Sequence, residues 1–161
     1  MRKIDEIIIH CSDSPEGRND KAEDIRRWHK QRGFNDIGYH YVIDLDGTIE
    51  QGRPIEQAGA HCTGHNRNSI GICYIGGAYW RDGVNAKGKP IKGKDGKTVL
   101  MPKDTRTVAQ YDALAKLLKE LKEQYPHLMR GASTGVARDF VLTTYTGVNL
   151  FNSSDFGCLQ I

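Results

Sequence analysis

The chain has 161 residues, with 23 Lys+Arg against 20 Asp+Glu for a net charge of +3, 38% apolar and 27% charged residues. This is the size and mixture of one globular domain able to bury its own core, and it excludes disorder and a strongly basic nucleic-acid binder. No apolar run approaches a membrane span, and the start Met-Arg-Lys-Ile-Asp-Glu lacks the h-region of a secretory signal.

Lys3 to His10 ends in Ile7-Ile-Ile9, apolar on both faces, which predicts a buried central strand carrying His10 at its carboxyl end. A Ser-, Asp- and Gly-containing loop follows from Ser12 to Asn19. Asp20-Lys-Ala-Glu23 then offers a capping box for a helix with Ile25, Trp28 and His29 on one face and Gly33 as its stop. Tyr39–Ile43 and Thr48–Gln51 read as strands joined by a tight turn at Asp46-Gly47. Ser69–Ile75 is a second strand buried on both faces, closed by Gly76-Gly77. From Trp80 to Thr105 the chain turns Gly- and Lys-rich, with Lys87, Lys89, Lys92, Lys94 and Lys97 around turns at Lys87-Gly88 and Asp95-Gly96. That stretch reads as a solvated excursion, with attraction to an anionic polymer as the alternative.

Thr107-Val-Ala-Gln110 is a second capping box, leading into the stripe Leu114, Leu117, Leu118 and Leu121 of a helix that ends before Pro126. Beyond Arg130 neither period is clear. Strands alternating with helices imply one α/β domain over residues 1–161, a central mixed sheet flanked by helices. The four cysteines, without a Cys-x-x-Cys pair, read as reduced thiols.

Three of the six histidines, His10, His40 and His61, fall at strand ends or in the loop between strands. A neutral imidazole there is a plausible metal ligand, although a packed core histidine satisfies the same pattern. Alternation sends His10 and Cys11 to opposite faces, so Cys11 reads as a small packed hydrophobe. Tyr39 and His40 are separated likewise, and at most one of them shares a cleft with His10.

Taken together, Ile8-Ile-His-Cys-Ser12, Ile25-Arg-Arg-Trp-His-Lys30, Gly33 through Ile43, Asp46-Gly-Thr48 with Gly52-Arg53, and Gly59-Ala-His-Cys-Thr-Gly-His-Asn66 running into Asn68-Ser-Ile-Gly-Ile72 resemble the zinc-dependent N-acetylmuramoyl-L-alanine amidases. That is the amidase-2 group, which includes T7-type phage lysozyme and the peptidoglycan recognition proteins. Asp104-Thr-Arg-Thr107 adds to the likeness, which spans residues 5 to 127. The resemblance implies hydrolysis of the amide between N-acetylmuramic acid and L-alanine of the stem peptide, in endolysin fashion, on peptidoglycan reached after release from the cytoplasm. It implies one zinc ion with His10 as first ligand, Tyr39 as catalytic tyrosine, and His61, Asn66 and Asn68 along the substrate groove. A monomer that binds muropeptide, with nucleic acid and membrane span outside its partners, completes that expectation.

Residues 130–161 depart from the family. Its second ligand histidine after the long helix and its later Cys or Asp ligand are replaced by Met129 to Phe140, no histidine follows His127, and the only later cysteine is Cys158. Asp139 can supply an oxygen ligand there, and Arg138 can stand for the family's lysine as an oxyanion donor. The alternative function is a peptidoglycan-binding module that has lost zinc and catalysis through this altered segment.

Overall fold

The computed structural model describes residues 2–126, 128, 130–133 and 149–152, the last two stretches as backbone. Its elements in chain order are β1 (Glu6–Cys11), β2 (Ser14–Pro15), α1 (Ala22–Gln31), β3 (Tyr41–Ile43), β4 (Ile49–Gln51), β5 (Ser69–Tyr74), β6 (Gly77–Trp80), β7 (Leu100–Pro102), α2 (Val108–Gln124), β8 (Arg130–Ser133) and β9 (Asn149–Asn152). Six strands form one mixed sheet in the order β4-β3-β5-β1-β8-β9, parallel except for the β3–β4 hairpin. β1 and β5 lie in its interior, which is why both read as apolar on two faces.

Alternation along these strands feeds two cores. Ile7, Ile9 and Cys11 of β1 with Ile70, Ile72 and Tyr74 of β5 pack against Leu114, Leu117, Leu118 and Leu121 of α2. The opposite face meets α1, where Ala22, Ile25, Tyr39, Val42, Cys73 and Ile75 form a second cluster. His10 is paired in register with Cys73 and therefore points to the α1 side, while Cys11 is buried on the α2 side. The expected separation of His10 from Cys11 holds.

α2 starts as its capping box dictates: Thr107 Oγ1 accepts from Gln110 N, and Gln110 Oε1 accepts from Thr107 N. The same Gln110, fully buried, donates through Nε2 to the carbonyls of Ile43 and Ile75, tying the ends of β3 and β5 to the helix. At α1 the expected box shifts by one residue. The Asp20 carboxylate is occupied by Ser14 Oγ at 2.7 Å and Arg18 Nε at 2.9 Å, so Lys21 takes the N-cap position and Asp24 accepts from its N–H.

The Gly- and Lys-rich excursion also differs from expectation. Its base is a second, three-stranded sheet of β2, β6 and β7, with Tyr79 opposite Met101 and Trp80 opposite Leu100. Cys11 and Cys73 are free thiols, as the sequence implies. Cys62 is instead disulfide-bonded.

Candidate active site

The carboxyl end of β1 brings His10 to the α1 face of the sheet, and two pieces of loop close on it. The first runs from α1 into β3. His29 Nδ1 accepts from Gly38 N at 2.8 Å, which anchors the backbone immediately before Tyr39. The second is the loop before β5, which approaches so closely that a Cβ on Gly38 would lie 2.2 Å from the carbonyl oxygen of Ala60. Arg53 braces both pieces by donating to the carbonyls of Ile37 and Ala58. Tyr39 and His61 are thereby placed beside His10, with ring centroids 5.1 Å and 5.0 Å from its imidazole.

His61 lies flat against backbone that has no side chains. A Cβ on Gly71 of β5 would come within 2.5 Å of its ring, and one on Gly59 within 2.4 Å. Its hydrogen bonds fix the proton positions. Ser69 Oγ donates to the His65 carbonyl at 2.7 Å, so at 3.3 Å it accepts from His61 Nε2–H. His61 Nδ1 is then an acceptor and takes the proton of His10 Nε2 at 2.9 Å. His40 completes the cluster, its ring 5.8 Å from that of His61, with Nδ1 accepting from Gly71 N and Nε2 donating to the Gln57 carbonyl.

All of these rings are neutral near pH 7. Burial first, and then the neighbouring His29, brings His10 down to about 3; His29 and His40 fall to about 4, and His61 lies well below its ordinary value, all chiefly through loss of solvent. Burial also raises the Tyr39 phenol well above its usual range, with the neighbouring Cys73 thiol and, across the sheet, Cys11 adding to the effect. The phenol remains a donor.

His10, Tyr39 and His61 are buried rather than lining an open cleft. His10 is 0% exposed, Tyr39 1% and His61 3%, so the three form a closed cluster. Asn66 is half-buried, and its Oδ1 is engaged by the backbone N–H groups of His61 and Cys62, bracing the His61 loop. Asn68 contributes backbone: its carbonyl accepts from Asp5 N and Glu6 N. Arg138, Asp139 and His127 lie outside the described residues. Ser69, Gly59 and Gly71 escaped sequence reasoning as parts of this site, because a serine or glycine carries no signal of which ring will pack on it. A depression of about 550 Å³ between Gly47 and α2, reaching Lys116, lies apart from the cluster and includes no histidine.

The family model described as N-acetylmuramoyl-L-alanine amidase, Amidase_2, matches residues 1–140. The chain belongs to this family. Among its relatives is an endolysin of Klebsiella phage KP32, 37% identical over 124 residues, covering 77% of this chain and 70% of that protein. An endolysin of Escherichia phage T7 is 44% identical over 85 residues, 53% of this chain and 52% of the phage protein, so that this chain spans about half of that relative. Among solved structures, the N-acetylmuramoyl-L-alanine amidase LysC from Clostridium intestinale superposes with a TM-score of 0.67 at 23% identity over 92% of this chain and 88% of that one, a likeness of fold. The bumblebee peptidoglycan recognition protein SA gives 0.59 at 25% identity, covering 83% and 71%.

Amidase_2 proteins typically depend on zinc, and the donor set here can be tested for it. A catalytic zinc needs three protein ligands, and two imidazoles on one tetrahedral ion stand about 3.3 Å apart. His10 and His61 are 2.9 Å apart with a proton between them, and among the described residues no group of three His, Cys, Asp or Glu side chains converges. β8 pairs with β1 from Glu6 to Ile9, and its residues Arg130, Gly131, Ala132 and Ser133 include no zinc donor. The described residues therefore supply His10 and a neighbouring imidazole, short of a complete site.

Proposed function

We propose that this amidase-family chain is an endolysin-type enzyme that hydrolyses the amide between the lactyl group of N-acetylmuramic acid and L-alanine of peptidoglycan, as a monomer reaching the wall after release from the cytoplasm. The observation that carries this reading is the convergence of His10, Tyr39 and His61, which the resemblance singles out, in one neutral cluster at the carboxyl end of β1. The endolysin relatives support the substrate class.

Zinc dependence is part of the proposal, with His10 as first ligand; a bound zinc ion provides hydroxide near neutral pH and Lewis acidity toward a carbonyl. The chain's own side chains perform the rest. Tyr39, held as an uncharged phenol, donates to the oxyanion that develops on the scissile carbonyl, and Arg138 is its cationic companion. His61 packs edge-on against the His10 ring, Asn66 holds the backbone of His61, and Asn68 is assigned to substrate by the resemblance.

The second reading, a peptidoglycan-binding module without metal or catalysis, is favoured by the hydrogen bond between His10 and His61, which occupies an imidazole nitrogen of each ring. Elemental analysis of the purified chain, combined with an assay of free L-alanine amino ends from digested sacculi, separates the two. Equimolar zinc with released amino ends establishes the enzyme. Metal-free protein that sediments with sacculi and releases none establishes the module.

A further inference from the structure

We propose that the hairpin arm between β6 and β7 docks the protein onto an anionic phospholipid surface. Two independent distributions coincide on it. Residues 81–97 hold Arg81 and five lysines against Asp82 and Asp95, a net of +4, whereas the whole chain carries +3, so everything outside the arm sums to −1. The large apolar side chains left exposed among the described residues gather there too: apart from Val108, all lie between positions 79 and 101, with Val84 50% and Ile91 44% exposed.

The arm is built rather than merely charged. Its two acids are both spent on one cation, Arg81 Nε donating to Asp82 at 2.8 Å and Nη2 to Asp95 at 2.9 Å. Asn85 Oδ1 accepts from the backbone N–H groups of Lys87 and Lys89, and Asp95 Oδ1 accepts from that of Lys97, fixing two turns closed by left-handed Gly88 and Gly96. The five lysines are exposed, and none has an ion-pair partner among the described residues. Ordering such a loop costs conformational entropy, and the turns have met that cost before any partner arrives.

The mixture selects the partner. A soluble phosphate polymer would engage the ammonium groups and leave Val84 and Ile91 in water. A nucleic acid strand would call for aromatic rings between the lysines, whereas the aromatics of this region, Tyr79 and Trp80, stand at the base of the arm ahead of them all. A lipid surface takes both kinds of side chain, ammonium groups at headgroup phosphates and apolar tips at the acyl boundary.

This inference does not rest on the amidase reading, and its assay contains no peptidoglycan. The chain is sedimented with vesicles of phosphatidylcholine alone or mixed with phosphatidylglycerol. Binding to the mixed vesicles only, weakened at least about tenfold by K87Q/K89Q/K92Q/K94Q/K97Q and several-fold by V84S/I91S at unchanged charge, supports the proposal. Thermal unfolding like the parent's certifies each variant. Equal sedimentation with both vesicle types, or indifference to the lysine replacements, overturns it. So does indifference to V84S/I91S with inorganic polyphosphate bound as tightly as the mixed vesicles, an outcome that makes the ligand a phosphate polymer.

Discussion

His10 Nε2 lies 2.9 Å from His61 Nδ1, and Ser69 sets the direction of that hydrogen bond. Because the Ser69 hydroxyl proton is committed to the His65 carbonyl, protons run from His10 to His61 to Ser69, leaving Nε2 of His10 protonated. Binding a cation at that nitrogen requires the proton to leave and the pair to separate. His61→Ala removes the partner of two buried groups, and we expect a stability loss of about 2–4 kcal/mol by denaturant unfolding. An unchanged unfolding midpoint would show that the network is absent in solution.

Tyr39→Phe tests the phenol without disturbing its ring packing. Loss of one oxyanion donor should lower the rate of L-alanine amino-end release by about 100-fold or more, with stability changed by about 1 kcal/mol or less. Retention of full activity would remove Tyr39 from the chemistry.

Gly71→Ala places a methyl group where the His61 ring sits, against an atom 2.5 Å away and with a central strand behind it. The expected result is overpacking that lowers stability by about 1–3 kcal/mol in denaturant unfolding, as the His61 ring is displaced. A variant as stable as the parent would mean that the loop before β5 sits further from the sheet.

Acid should destabilise the fold through its buried histidines. The folded-state values of His29 and His40, about 4, lie below the ordinary 6.5 because burial disfavours their charged forms. The unfolded chain therefore takes up protons first as pH falls. The stability these neutral rings confer is complete above about 6.5, declines below it, and is exhausted near 4. The urea midpoint should fall progressively between those limits, and His40→Gln should flatten the fall. A midpoint independent of pH across the window would refute the neutral, buried assignment.

Gln110 joins helix to sheet by donating to two strand-end carbonyls. Gln110→Leu keeps the bulk but strands both acceptors, so a loss of about 2–3 kcal/mol in thermal or denaturant unfolding is expected. A neutral effect would place those carbonyls in contact with water.

Much of this architecture was legible because it is local. The Thr107–Gln110 box and the leucine stripe specify α2; the β-branched runs ending at His10 and Ile75 specify central strands; Asp46-Gly47 marks the hairpin, whose loop is Leu45–Gly47 rather than those two residues alone. The shifted cap of α1 was not, since Asp20 is diverted by Ser14 and Arg18, whose approach depends on β2 pairing with β6. The turns of the arm at Lys87-Gly88 and Asp95-Gly96 were legible, but its strands were not: runs of three or four residues carry too little alternation to register, and their pairing becomes visible only across the excursion between them.

By itself the sequence determined the α/β class and the family and singled out His10, Tyr39 and His61 as candidates, because short-range periodicity and ordered motifs survive without coordinates. Only the tertiary structure decided that those side chains form a closed, neutral cluster rather than an open groove, which proton each imidazole carries, and that the exposed apolar side chains gather on the lysine arm. Burial and hydrogen-bond direction arise from contacts between segments some fifty positions apart, His10 with His61 above all, and no local pattern encodes them.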